Sequence, residues 1–138
     1  MTNSATHSRW IAIGALVGAA GVALGAFGAH GLSDALGNLG YEQDEVVRRL
    51  VNFETAVRYQ LVHALAIALV GVMHAQRPRR TWRAAASAFL VGVLLFSGLL
   101  YVLTFAGPNW KWLGAIVPIG GVSLIIGWLV LAIGACKK

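Results

Sequence analysis

The stretch Gly14–Gly28 reads GALVGAAGVALGAFG, with glycines at 14, 18, 21, 25 and 28, spaced by four, three, four and three residues. In a water-soluble helix each interior glycine costs about 1 kcal/mol against alanine, so five of them would argue for a loop. The surroundings reverse that reading. Trp10–Ala29 is a run of 20 residues without a charge, the length a helix needs to cross the ~30 Å hydrocarbon core of a bilayer. Within lipid the backbone must satisfy its own hydrogen bonds, so the solvent enforces the helix and glycine serves to bring two backbones close. The spacing averages 3.5, which places Gly14, Gly18, Gly21, Gly25 and Gly28 on one stripe for a neighbouring helix to approach.

The remainder of the chain has the same character. Of its 138 residues 58% are hydrophobic and 12% charged, half the charged share of an ordinary soluble domain of about 25%. With a mean hydropathy of +0.73 this is membrane composition. One domain over residues 1–138 is expected, since no internal repeat or low-complexity tract marks a second. Three more spans follow the first: a second around Tyr59–Met73, a third over Ala84–Ala106 and a fourth over Trp112–Cys136. The uncharged part of the second is only 15 residues long, so a full crossing draws Glu54 and Arg58 into the membrane boundary. The expected fold is all-α, an integral membrane four-helix bundle with an amphipathic segment between the first two transmembrane helices.

The net charge of +6 is grouped at the ends of the spans, so it orients the chain and does not point to nucleic acid. Arg9, Arg77, Arg79, Arg80, Arg83, Lys137 and Lys138 fall on one side; Arg48, Arg49, Arg58, Lys111 and all five acids fall on or beside the other. The positive-inside rule then puts both termini in the compartment from which the chain was inserted. Arg9 and the small residues around Ala26 have the outline of a cleavable signal, but the apolar run exceeds a signal core of roughly 7 to 15 residues. The span is therefore read as retained. Cys136 stands alone and is expected to be a small apolar core residue.

Between the first two spans, Ser33 is placed to cap a short turn carrying Leu32, Leu36 and Leu39. Gln43–Asn52 then alternates at helical period, with Val46, Val47, Leu50 and Val51 on one face and Glu45, Arg48, Arg49 and Asn52 on the other. It reads as a surface helix lying on the outer leaflet before the chain turns into the second span.

Four motifs carry a family resemblance: GAFGAHGL at 25–32, ETAVRYQLVHALA at 54–66, LFSGLLYVL at 95–103, and LGAIVPIGG at 113–121 followed by Gly127-Trp128. In this order they resemble the small bacterial membrane proteins catalogued as domain of unknown function 423, a family with a eukaryotic transmembrane relative. The resemblance implies four transmembrane helices and no established activity; with the charge distribution it points to a bacterial plasma membrane with both termini cytoplasmic. The long Gly40–Leu50 segment departs from it and receives no role.

The topology gathers polar residues in the outer half. His30 ends the first span, Glu54 and Arg58 open the second, and His63 lies about 13 Å deeper than Glu54 on the opposite face, shared with Tyr59. Ser97, Tyr101 and Thr104 form one face of the third span. Each has a structural reading beside a functional one: Glu54 and Arg58 as an i,i+4 pair neutralising one another, His63 in an interhelical hydrogen bond, His30 as an interfacial residue, and the hydroxyls bonding back to carbonyls. Pro118 between glycines is a candidate kink in the fourth span. Gly120, Gly127 and Gly134 repeat every seven residues as a second stripe, expected to be the counterpart of the first.

These readings leave an accessory, assembly or scaffold protein with no enzymatic activity as the favoured class, contacting membrane lipids and either a membrane-protein partner or a second copy. A proton-linked small-solute transporter using the outer polar cluster is the alternative. A haem is disfavoured because His30, His63 and His74 lie at different depths, and no HExxH or CxxC spacing offers a metal site, so neither cofactor nor metal is expected.

Overall fold

The computed structural model describes residues 4–136; Lys137 and Lys138, counted above among the basic residues, lie outside them. Its elements are α1 (Ser4–His30), α2 (Leu32–Asn38), α3 (Gln43–Gln76), α4 (Arg80–Phe105), a 3-10 stretch (Pro108–Ala115) and α5 (Val117–Cys136). The described residues contain four helical segments long and apolar enough to cross a membrane. The all-α reading with four spans holds.

The helices pack in order: α1 on α3, α3 on α4, and α4 on α5. At the centre, Ile67 and Val70 of α3 meet Ala85, Ala86 and Phe89 of α4 and Leu124 of α5. A second cluster closes the end of the bundle away from the chain termini, where α2 folds over and buries Leu32 and Leu36 against Val46 and Phe53.

The first glycine stripe faces one neighbour, α3, but the close backbone approach expected of it is made at Gly14. A Cβ on Gly14 would stand 2.8 Å from the Ala64 carbonyl oxygen and 2.7 Å from the Ala68 nitrogen, both backbone atoms of α3. Further out the stripe meets larger side chains: Leu61 at Gly21, Val57 at Gly25 and Phe53 at Gly28. Helix α3 reciprocates at Gly71, where a Cβ would fall 2.7 Å from the Ile11 nitrogen.

The second stripe is not the counterpart of the first. Gly120 faces the Phe96 backbone, Gly127 the Phe89 ring, and Gly134 the Thr81 and Trp82 side chains, all on α4. A glycine groove needs only a neighbour of fitting shape, which α3 supplies to α1 and α4 supplies to α5. The two stripes therefore sit on different inner helices.

Three further expectations are corrected. No surface helix precedes a turn into the second span, because α3 runs unbroken for 34 residues, about 51 Å. Between Gly40 and Gly71 the sequence contains neither glycine nor proline, so nothing interrupts the hydrogen-bond ladder. Pro118 does not kink a helix interior; it is the second residue of α5, where its missing N–H is one of the donors left unpaired by any helix start. The break in the fourth span comes earlier, where the 3-10 stretch ends and Ile116 leads into α5. Cys136 is exposed at the end of α5 and belongs to no core.

Helix α2 begins at Gly31 without a side-chain cap, so Ser33 is not its N-cap, and Leu39 is left 60% exposed. Gly40 then reverses the chain into α3 at φ 82°, a left-handed conformation for which glycine is the natural residue.

Candidate functional site

The C-terminal end of α4 is where the chain concentrates its hydrogen bonds. A helix leaves its last four carbonyls without intrahelical partners. Those of Leu103 and Thr104 accept from Arg49 Nη1 at 3.0 and 2.6 Å, and that of Phe105 accepts from the Tyr41 hydroxyl at 3.2 Å. The Val102 carbonyl takes the Ala106 N–H at 2.9 Å. Arg49 also donates to the Ala106 carbonyl from both terminal nitrogens, at 3.1 Å each.

This guanidinium is buried, with its plane over the Tyr41 ring at 3.7 Å from the centroid and its remaining donors on Glu45. The Glu45 contact, 2.7 Å at its shortest, is the ion pair among the described residues. The hydrogen bond from Arg49, with its positive charge, holds the Glu45 carboxyl below its ordinary range. One arginine and one tyrosine thus fasten the N-terminal extension of α3 to the C-terminus of α4, where a cation also suits the helix dipole.

Deeper in the bundle, Gln60 joins three helices. It donates to the Val17 carbonyl of α1 at 2.8 Å and accepts the Tyr101 hydroxyl of α4 at 2.7 Å. His63 is buried, and its two ring nitrogens point to different partners. Trp128 Nε1–H can only donate, so His63 Nε2 accepts it at 3.1 Å; Nδ1 therefore carries the proton and donates to the Tyr59 carbonyl at 2.7 Å. The interhelical role expected for His63 is thus observed, with α5 supplying its partner. Thr104 bonds back to the Leu100 carbonyl at 2.8 Å. Ser97 shares its buried face, but its hydroxyl has no partner among the described residues. On α5, Ser123 donates to the Ala88 carbonyl of α4 at 2.8 Å.

The outer polar cluster does not converge as a unit. Tyr101 reaches Gln60 of α3 and Ser97 and Thr104 are buried, whereas Glu54, Arg58 and Tyr59 are exposed and His30 is exposed at the end of α1. Glu54 and Arg58 make no ion pair with each other. At the membrane boundary both reach water, where an i,i+4 attraction of a few tenths of a kcal/mol does not hold two long side chains in one geometry. They flank a groove between α1 and α3. Tyr59 and His63 line a different groove with Phe96, Pro118 and Trp128.

Comparison with known proteins places the chain. The sequence profile described as "Protein of unknown function (DUF423)" matches residues 24–121. The chain belongs to this family. The DUF423 match includes the 40–50 segment that supplies Tyr41, Glu45 and Arg49. A "UPF0382 membrane protein" of Haemophilus influenzae is 38% identical over 134 residues, covering 95% of this chain and 96% of the relative. The "UPF0382 membrane protein YwdK" of Bacillus subtilis is 34% identical over 130 residues, covering 93% and 96%. The "UPF0382 inner membrane protein YgdD" of Escherichia coli is 38% identical over 120 residues, covering 84% and 80%. No solved structure matches the chain. This DUF423 protein is a multi-pass membrane protein, and its relatives are named as membrane proteins.

The sequence reading missed Arg49, Tyr41, Gln60 and Trp128. Gln60 carried a signal, since a primary amide in the middle of an uncharged span demands a partner. Arg49 carried the opposite signal, because it shares a face with the exposed Arg48 and Asn52.

Proposed function

We propose that this protein is a non-enzymatic accessory or assembly protein of the bacterial plasma membrane, acting by contact with a membrane-protein partner or a second copy. The observation that supports this is the use made of the interior polar groups. Gln60, Tyr101, His63, Trp128 and Ser123 each bond to another helix, which is how polar side chains hold spans together in lipid. A transporter would instead keep such groups turned towards a solute path.

The test combines stability with flux. Gln60→Leu leaves the Tyr101 hydroxyl without its acceptor, and Tyr101→Phe leaves the Gln60 carbonyl without its donor, each expected to lower stability by about 1 to 2 kcal/mol. The double variant should recover part of that loss, seen as a positive coupling in detergent unfolding curves. Vesicles reconstituted with the unaltered chain should take up no solute on a proton gradient beyond empty vesicles. A reproducible uptake, abolished by Glu54→Gln in a protein that still folds, would replace this proposal with the transporter.

Both termini are assigned to the cytoplasmic side. Arg9, Arg77, Arg79, Arg80 and Arg83 lie at the inner ends of the spans under this orientation, and no acid follows Glu54 in the sequence. With Cys136→Ala as background, single cysteines at Asn38 and Arg79 should react with an impermeant maleimide from opposite sides of sealed inverted and right-side-out vesicles. Labelling of both from one side would reverse the assignment.

A further inference from the structure

The seam between α1 and α3 opens into a groove of about 370 Å³ on the surface of the bundle. Gly25, Gly28 and Ala29 line it from α1, and Phe53, Val57 and Leu61 from α3, with Glu54 and Arg58 beside them. From Phe53 to Leu61 the lining descends about 12 Å along the helix. The charge-free Trp10–Ala29 span of α1 runs beside α3 from Gly71, against Ile11, to Phe53, against Gly28, which sets the membrane edge near Phe53. Glu54 therefore lies at the level of lipid headgroups and Arg58 one helical turn deeper, within snorkelling reach of them, while Val57 and Leu61 lie among acyl chains.

The two charges are exposed and not paired with each other. Their signs and spacing match a headgroup that carries both charges. A guanidinium presents a planar fork of donors to phosphate oxygens, and a carboxylate accepts hydrogen bonds from a primary ammonium. An anionic lipid would meet Glu54 as a like charge; the opposite end of the bundle, with Arg77, Arg79, Arg80 and Arg83 and no acid, suits such lipids better. We propose that the α1–α3 groove binds one amine-bearing phospholipid, its phosphate on Arg58, its ammonium on Glu54 and an acyl chain along Val57 and Leu61.

The purified full chain is mixed with equal amounts of phosphatidylethanolamine, phosphatidylcholine and phosphatidylglycerol of identical acyl chains, and retained lipid is read by native mass spectrometry. Phosphatidylethanolamine should be retained about threefold over the other two, the scale of an exposed ion pair. Glu54→Gln should bring phosphatidylethanolamine and phosphatidylcholine to parity, since only the primary ammonium donates hydrogen bonds. Arg58→Gln should lower retention of both. Ala29→Phe, which leaves both charges in place and fills the groove, should lower phosphatidylethanolamine retention as well. Free phosphoethanolamine at equimolar concentration should not compete, because it lacks the chain. Equal retention of the three lipids overturns the proposal, as does a preference for phosphatidylethanolamine that survives Glu54→Gln, competition by the free headgroup, or a preference for phosphatidylglycerol lost in Arg77→Gln.

Discussion

Gly120→Ala is expected to lower the stability of the bundle by about 3 kcal/mol, the upper end of what overpacking costs. The added methyl would fall on the Phe96 backbone nitrogen, with the Leu95 carbonyl carbon 2.8 Å away. Backbone inside a helix cannot step aside as a side chain can, so α4 and α5 must separate. Gly14→Ala should behave similarly against the Ala64 and Ala68 backbone of α3. Gly18 provides the control on the same stripe. Its Cβ would meet only Ala64 Cβ at 3.7 Å, an ordinary contact, so Gly18→Ala should be neutral or slightly stabilising through helix propensity. Gly21 is intermediate because its neighbour at 2.8 Å is the flexible end of Leu61. The four variants are compared by thermal unfolding in one detergent. If Gly14→Ala and Gly120→Ala unfold with Gly18→Ala, close backbone approach is not what these glycines provide.

Arg49→Leu should cost a comparable amount, about 3 kcal/mol, because it strands the buried Thr104 carbonyl and several half-buried acceptors at once. The Leu103 and Thr104 carbonyls lose their donor, and those at Ala106 and Glu45 lose theirs too. Arg49→Lys should recover only a minority of the loss, since an ammonium cannot span the end of α4 and Glu45 together. Exposed Arg48→Leu, one residue away, should stay within about 0.5 kcal/mol of the unaltered protein. The pair also sets a pH dependence. The folded carboxyl of Glu45 titrates below its ordinary value of 4.5, so its contribution is complete above that value and is lost as the pH falls through the lower, folded value. Unfolding temperatures should fall below about pH 4.5 by more in the unaltered protein than in Glu45→Gln. A Glu45→Gln protein with the same acid profile would remove the ion pair from the account.

What the sequence made legible follows from the strength of each constraint. Charge-free runs and the glycine period in Trp10–Ala29 report directly on lipid and on close approach, and both survive in α1. Which helix fills a glycine groove does not follow from the groove, so the pairing of the α1 and α5 stripes could not be read from their similarity. His63 was legible as an interhelical donor or acceptor because a buried imidazole needs partners, but Trp128 lies 65 residues away. Arg49 was hidden for a sharper reason. A helical face counts only its own helix, and the carbonyls that bury this arginine arrive from the end of another one 54 to 57 residues later. The Glu54–Arg58 pair failed in the reverse direction, since correct spacing on a wet helix face supplies proximity without enough energy to fix it.

The order in which the helices touch has a consequence for how the protein is made. Each membrane span rests on the one synthesised before it: α3 on α1, α4 on α3, α5 on α4. A nascent chain can therefore dock each new span against the one before it, while His63 of α3 waits for its Trp128 partner on α5. Closing contacts between near neighbours along the chain also requires little loop entropy, which favours rapid assembly. The Arg49 fastening uses only α3 and the end of α4, so it can secure the first three spans without any residue of α5.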